Sequence, residues 1–558
     1  MSNLKKNSSE NTQSSNTSSA SSISSSLIRD LGKLNLTEER LKRYADEADT
    51  LVSTRENELR TKAKSLREKA ISKTLSNIKR SMEVDLCFVL DCSGSMGPHI
   101  AAAKDCILQV SNYVKHTNPS IKLRVGFCGY RDHYNGLNRL QIFDFNDQYD
   151  QFTQYMQNVL PIRNDDLPED VLGGLNAAIT QLNWQNSTRV LLHIGDYPPH
   201  GRRFTSLEDD KYPDGDPNGL TAESVLEKMQ SKNILYFFGK ITDYTDTMLE
   251  IFRSIIGEFP VFDLVGGDPI VLVDKLIKAT SSSITIAVSL TSMIGSNSRD
   301  SIYTLQQRKL DMDPNEPNWD ILPLQKGTLL WYCIPETLDN LKNSKYFNKS
   351  NLFSKSFSFK IASRPFSAGV EKYAYFARDV KSKPAKEMVM KEYLKVGERN
   401  NPLEKYLEAV EVSTVAHFLS MKFNLIAERK NISKVNFLNV KLLRCSSIDV
   451  RTRYYAIEPR LNAEYKRFNV NTGVITKLRD TLEAFAHFTY EYTEGYLVVC
   501  DLQGIELIDE FLLTDPAIHC IDPLRFGGTN FGEKGISELF LANHRCNDIC
   551  KKLKLCNV

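Results

Sequence analysis

The chain has 558 residues, with 71 Lys and Arg against 69 Asp and Glu, a formal charge of +2, 41% hydrophobic residues and 11 cysteines. At roughly 100–200 residues per domain this length exceeds one hydrophobic core and asks for two globular domains with tails. The balance of charge argues against a protein whose main task is to neutralise a polyanion, so no nucleic-acid partner is expected.

Residues 1–30 are rich in Ser and Asn, a composition that cannot bury enough apolar surface to offset chain entropy, and they read as a disordered tail. Neither a secretory signal nor a run of eighteen apolar residues is visible, so the expected location is the cytoplasm, with peripheral attachment to internal membranes or cytoskeleton left open. The cysteines at 87, 92, 106, 128, 333, 445, 500 and 520 are scattered, and only 546, 550 and 556 cluster, which points to reduced thiols and one metal site.

Residues 31–82 lack Gly and Pro after Gly32 and are crowded with Glu, Lys, Arg and Ala, predicting a charged helix that starts at Thr37. Its thin apolar stripe (Val52, Leu59, Leu66 and others) suits a coiled coil, and hence an oligomer, or equally a solvated connecting helix. Across residues 83–285, buried-strand runs such as VDLCFVL, LRVGFCGY, RVLLHIG and ILYFFGKI alternate with helical segments, which predicts an α/β doubly wound parallel sheet. Residues 286–349 carry Pro, Asn and short β-like runs and read as a connecting module; residues 350–558 mix strand and helix patterns as an α+β domain.

Two places carry chemistry. Asp91-Cys92-Ser93-Gly94-Ser95 follows a buried strand and opens a helix, where open α/β sheets bind ligands, and its oxygens suit a divalent cation. This segment resembles the metal-dependent adhesion motif Asp-x-Ser-x-Ser of the von Willebrand factor A-type domain. The resemblance implies an Mg2+ or Mn2+ site formed by Asp91, Ser93, Ser95 and Asp196, the last in LLHIGDYPPHG, and a protein ligand for that domain. The middle loop has Leu167 where that family has Thr, with Asp165 or Asp166 as compensating candidates.

The second place is the C-terminal third. Asp501-Leu502-Gln503-Gly504, Thr514-Asp515-Pro516, Gly527-Gly528-Thr529-Asn530-Phe531-Gly532 and His544-Arg545-Cys546-Asn547-Asp548-Ile549-Cys550 occur in that order, together with AFAHFTYE, IEPRL and RPFSAG. They resemble the alpha-kinase family of atypical Ser/Thr protein kinases, and the whole chain resembles the hybrid in which an A-type domain precedes such a kinase. The resemblance implies ATP and Mg2+, with Lys391 on the nucleotide phosphates (Lys386 as second choice) and Glu458 at the adenine end. It also implies Asp501 and Gln503 near the phosphates and metal, Asp515 as the catalytic aspartate, and Gly527, Gly528, Asn530 and Gly532 in the glycine loop.

The family pattern is broken at Thr529, which stands for Gly, and at Lys372, which stands for Arg. His487, His544, Cys546 and Cys550 would hold a structural Zn2+, two imidazoles and two thiolates suiting a closed tetrahedral site. The function expected is phosphorylation of protein Ser/Thr, including autophosphorylation and helical or coiled-coil substrates such as myosin heavy chain. The competing expectation is a catalytically inactive scaffold or adhesion protein.

Overall fold

The computed structural model of the protein describes residues 38–163, 166–266, 268–294, 312–369, 371–393, 403–446 and 452–556. It comprises two compact units, residues 1–67 and 68–558. The expected tail and the helix start at Thr37 lie outside the described residues. What is described of the first unit belongs to one helix, Glu38–Ser81, on which Leu51, Val52, Leu59 and Leu66 are exposed. No described helix is long and apolar enough to cross a membrane.

The second unit begins in the last turns of that helix, where Ile71, Leu75 and Ile78 recur at i, i+4 and i+7 and are buried. A six-stranded sheet follows, built from β1 (Glu83–Asp91), β2 (Lys122–Tyr130), β3 (Leu140–Asn146), β4 (Thr188–Gly195), β5 (Ile234–Lys240) and β6 (Val261–Asp263) in the order β3-β2-β1-β4-β5-β6. All pairs are parallel except β2 with β3, an antiparallel edge that the hydrophobic pattern does not announce.

Apolar residues of β1 point alternately to two cores. Phe88 packs with Ile107 and Leu276 of helices Gly97–Thr117 and Pro269–Ile294; Val89 packs with Leu175, Val225 and Phe252 of helices Val171–Gln181, Ala222–Ser231 and Asp246–Ile256. Because β1 lies between β2 and β4, the order in which strands are laid down across the sheet reverses there, and the ends of β1 and β4 flank the crevice in which such sheets bind ligands.

The boundary expected at residue 285 falls inside a helix. Pro269–Ile294 runs unbroken through ITIAVSL, and Ile284, Ala287 and Val288 are buried against the first domain. The β-branched residues of that stretch suggest a strand, but helical spacing along the packed face prevails. The described part of the connecting module likewise supplies β7 (Gln325–Trp331), a strand of the next sheet.

That sheet joins β7 to β8 (Phe353–Ile361), β9 (Ser367–Ala368), β10 (Lys372–Asp379), β11 (Lys386–Tyr393), β13 (Lys441–Ser446) and β14 (Thr452–Pro459). Its order is β11-β14-β13-β7-β8-β10-β9, and a further β10–β11 pairing closes it on itself around Phe359, Met390, Leu443 and Ile457. A lower half holds the sheet β12 (Lys434–Phe437), β18 (Glu510–Thr514), β17 (Gln503–Glu506), β15 (Lys466–Arg467) and the pair β16 (Leu497–Cys500) with β19 (Ala517–Cys520). Helices Leu403–Ala427 and Asp480–Tyr492 pack across it through Phe423 and Phe485.

The two domains share one hydrophobic cluster, in which Val470, Val474, Phe531 and Leu539 meet Ile71, Leu75 and the core under β1. At its edge the buried Asn118 donates from Nδ2 to the Ile475 carbonyl at 3.0 Å and accepts from the Ile475 N–H at 2.7 Å. Ser120 donates to Asn543 at 2.7 Å. Asn118→Ala leaves both Ile475 backbone groups buried without these partners and is expected to cost about 1–3 kcal/mol, read as a lowered midpoint in thermal unfolding of the full chain.

Candidate active site and metal-type clusters

Strand register assembles the first cluster. In the β10–β11 ladder Lys372 faces Tyr393 and Ala374 faces Lys391, while in β11–β14 Lys391 faces Ala456 and Val389 faces Glu458. Lys372, Lys391 and Glu458 therefore form a diagonal row on one face of three adjacent strands. The end of β18 delivers Thr514 and Asp515 to that row.

Lys391 Nζ lies 2.6 Å from Asp515 Oδ2, 2.5 Å from Glu458 Oε1 and 3.3 Å from Thr514 Oγ1. Lys372 Nζ lies 3.1 Å from Asp515 Oδ1, and Thr514 donates to Glu458 Oε2 at 2.5 Å. Asp515 thus sits between two ammonium groups with about a quarter of its side chain open to solvent. Burial pushes its carboxyl up, but Lys372 and Lys391 outweigh that and hold it well below the usual carboxylate range. For Lys391 burial pulls the other way and is overcome by Asp515 and Glu458, so both lysines stay charged. Glu458 is shifted upward by burial, against the pull of Lys391.

Backbone conformation marks the neighbouring positions. Asp501 and Asp515 both have positive φ, 54° and 48°, a cost of order 1 kcal/mol that a packed structure retains chiefly at sites of function. Gly504, at φ 151°, leaves no room for a Cβ, which would meet the Leu512 carbonyl oxygen. Gln503, paired with Thr514 in the β17–β18 ladder, donates from Nε2 to the Asp515 carbonyl at 3.1 Å, which leaves its Oε1 as an acceptor. Asp501 is gripped by Arg467 through contacts of 2.7 and 3.0 Å. Burial raises Asp501, and Arg467 partly offsets this.

Lys391, Glu458, Gln503 and Asp515 are therefore in mutual contact or one residue removed from it. The sequence resemblance places Glu458 at the adenine end; its carboxylate rests on Lys391, which the two-residue register puts on the same face. Asn530 has its amide committed to its own loop, accepting from the N–H groups of Cys520 and Gly532 and donating to the carbonyls of Asp522 and Arg525. Gly527, at φ 73°, has the left-handed backbone that favours glycine and faces the Glu408 carboxylate. In the sequence Lys372 stands out only as a departure from pattern and Thr514 only as the neighbour of Asp515, and Arg467 does not stand out at all, since nothing local joins it to a site partner distant along the chain.

The second cluster lies at the C-terminus. Ligand atoms of His487, His544, Cys546 and Cys550 all fall within 4.8 Å of one another. Cys546 Sγ is 3.8 Å from His487 Nδ1 and Cys550 Sγ is 3.7 Å from His544 Nε2, close to the edges of a tetrahedron with metal bonds of roughly 2.0–2.3 Å. Burial lowers both imidazoles, His544 to about 4, so the neutral ligand form prevails. These residues fit zinc.

The third cluster is at the ends of β1 and β4. Asp91 Oδ1 accepts from the Ser93 N–H at 2.8 Å, while Asp91 Oδ2 and Asp196 Oδ1 are buried without hydrogen-bond partners. Ser93 and Ser95 hydroxyls are 3.2 Å apart, and Ser93 makes no capping bond to the following turn. Burial raises both carboxyls, and for Asp91 the nearby Asp196 adds to it. Two orphaned buried oxygens beside two hydroxyls fit a hard cation. Asp166 does not complete this set, because it accepts from the Lys211 N–H and faces His200; Asp165 lies outside the described residues.

The closed antiparallel sheet thus stands over a lower half that carries a Lys–Asp–Lys cluster, and comparison with known proteins names the class. The alpha-kinase family profile matches residues 367–550. The chain is 32% identical over 504 residues to alpha-protein kinase vwkA of Dictyostelium discoideum, an alignment covering 88% of this chain and 79% of that one. The chain therefore belongs to the alpha-kinase family, a family of protein kinases.

It is also 26% identical to Dictyostelium discoideum myosin heavy chain kinase B over 374 residues, 66% of this chain and 41% of the relative. Among solved structures, an alpha kinase from Entamoeba histolytica matches at 28% identity and TM-score 0.36 over 43% of this chain and 94% of that one. The apoenzyme alpha-kinase domain of myosin-II heavy chain kinase A matches at 26% identity and TM-score 0.35, over 44% and 99%.

Replacing Lys372 with Met leaves Asp515 one cation and brings its pKa back toward about 4. A carboxylate with a depressed pKa stabilises the fold above its unfolded value, and this contribution is lost as pH falls toward the folded value. Thermal melts between pH 6 and pH 3 should therefore show a smaller loss of stability for Lys372→Met than for the wild type, by at most about 1 kcal/mol, because only the upper part of the titration falls in that window.

Proposed function

We propose that this chain is an ATP-dependent serine/threonine protein kinase that transfers the γ-phosphoryl group of ATP to hydroxyls of protein substrates and of itself. The observation that carries this reading is the Lys372–Asp515–Lys391 cluster: an ionised carboxylate, partly open to solvent, between two cations. Phosphoryl transfer requires positive charge around the migrating group and a base near the attacking hydroxyl. Lys391 would release Glu458 or Asp515 to take nucleotide phosphates, with Lys372 beside it. Asp515 would orient or deprotonate the substrate hydroxyl.

Mg2+ would neutralise phosphate charge, and Gln503 Oε1 and Asp501 would be the groups to hold it. Zinc at His487, His544, Cys546 and Cys550 would pin helix Asp548–Leu553 to helix Asp480–Tyr492, which Asn547 already reaches through its bond to the Asp480 carbonyl. We read residues 83–285 as an A-type domain for targeting or protein binding, with Asp91, Ser93, Ser95 and Asp196 as its cation set. The strand order, the switch point at β1 and the two orphaned carboxylate oxygens support this. Two relatives are named myosin heavy chain kinases, which supports helical or coiled-coil segments as the substrate class.

Purified chain incubated with labelled ATP and Mg2+ should incorporate label into itself and into a coiled-coil substrate. Asp515→Ala should lose about 10²–10⁴-fold in rate, the usual contribution of a positioned acid or base. Equal labelling by wild type and variant would refute the assignment of Asp515; no labelling by either would favour an inactive scaffold.

Zinc should co-purify at about one equivalent in the C-terminal cluster. Cys546→Ser with Cys550→Ser should lose that equivalent and most soluble protein. A soluble, folded, zinc-free double variant would remove the structural role.

A further inference from the structure

Residues 196–221 connect β4 to helix Ala222–Ser231 without a strand or helix of their own. A connection of that length inside a compact domain is uncommon unless something other than regular structure holds it. Here the loop is held by polar groups. His200, Asp210 and Asp216 from the loop meet Asp132 and His133, which follow β2, and Asp166 and Asp170, which precede helix Val171–Gln181.

The two imidazoles in this cluster differ. His200 is satisfied at both nitrogens, with Nε2 2.9 Å from Asp132 Oδ1 and Nδ1 2.8 Å from Asp210 Oδ1. His133 is not. Its side chain is 7% exposed, yet Nε2 has no hydrogen-bond partner, and neither has Asp216 Oδ2, on a side chain 4% exposed. Nε2 stands 3.3 Å from Asp216 Oδ2 and 3.5 Å from Asp170 Oδ1.

A charge-assisted N–H to carboxylate bond would close to about 2.7–2.9 Å. Ligands that share one ion at bond lengths of roughly 2.0–2.2 Å are instead held about 3.0–3.5 Å apart. The carboxylates are already aimed. Asp216 Oδ1 accepts from the N–H groups of Asn218 and Leu220, leaving Oδ2 turned inward, and Asp170 is fixed by the Gly173 N–H and by Arg139. The rival arrangement, an Nε2–H of His133 shared by both carboxylates without an ion, with Arg139 3.5 Å from Nδ1, is the one that equal metal content in the test below would establish.

We propose that His133 Nε2, Asp170 and Asp216 bind a divalent ion of the zinc type, separate from the Asp91 loop and from the C-terminal cysteines. All three ligand atoms lie within 4.8 Å of one another. One imidazole and two carboxylates, without a thiolate, are a donor set for zinc or a neighbouring transition metal, with the remaining position filled by water. The ion joins three segments whose facing carboxylates would otherwise repel, and so fixes the long loop at the ligand-binding edge of the sheet.

The test is metal content of the full chain after gel filtration, by mass spectrometry, for wild type, His133→Gln and Asp216→Asn. The expected result is one tightly held equivalent fewer in each variant than in the wild type. Equal content in all three overturns the site. Should neither variant be soluble, cobalt substitution of the wild type decides. A visible Co2+ band without thiolate charge transfer is expected beside any thiolate-ligated component, and a spectrum of thiolate-ligated cobalt alone overturns the proposal.

Discussion

Asp515 held between Lys372 and Lys391 is the interaction around which the catalytic half is arranged. Two ammonium groups on adjacent strands would repel one another and lose hydration on burial; they are tolerated because Asp515 and Glu458 supply two matching negative charges. The arrangement is balanced but replaceable. Any anion that reached Lys391 would have to take the place of Glu458 or Asp515.

Geometry at this cluster depends on sheet closure. Lys372 and Lys391 share a face because β10 pairs with β11, and Glu458 joins them because β11 also pairs with β14. A slip of one residue in either ladder would turn one of these side chains to the opposite face. The lower half then fixes Asp515 through a left-handed residue at the end of β18, with Gln503 bonded to its carbonyl from the neighbouring strand. The Gly504 conformation allows β17 to approach Leu512 closely enough for that bond.

Much of this is legible in order along the chain and little of it in space. Alternating buried strands and helices announce the first domain, since a nearly continuous apolar run such as residues 84–90, closed by a polar turn, suits a strand buried on both faces. The antiparallel β3 is hidden because RLQIFDFN is half polar and only partly buried. The helix through residue 294 reads as a strand because β-branched residues outweigh spacing in so short a window. At the site, motif order identifies Lys391, Gln503, Asp515 and the His/Cys cluster. Pairings such as Arg467 with Asp501 or Lys372 with Asp515 require strand register, which one sequence does not encode locally.

The interface between the domains joins this arrangement to the first sheet through one apolar cluster. Phe531, within the glycine-rich loop, and Val470 and Val474, on the segment that carries Asn469 and Asn471, lie in the same apolar cluster as the core beneath β1 and the end of the long helix. Asn469 reaches the Asp501 turn directly, through its side-chain oxygen to the Leu502 N–H at 2.8 Å. A chain of packed groups therefore runs from the face of the first sheet to the turn that carries Asp501 and Gln503. Such continuity does not by itself establish coupling, which requires two discrete arrangements of the intervening element. It does restrict where that element can be: residues 468–476, held by Asn118 from one side and bonded to the Asp501 turn on the other, are the segment whose movement both domains would feel.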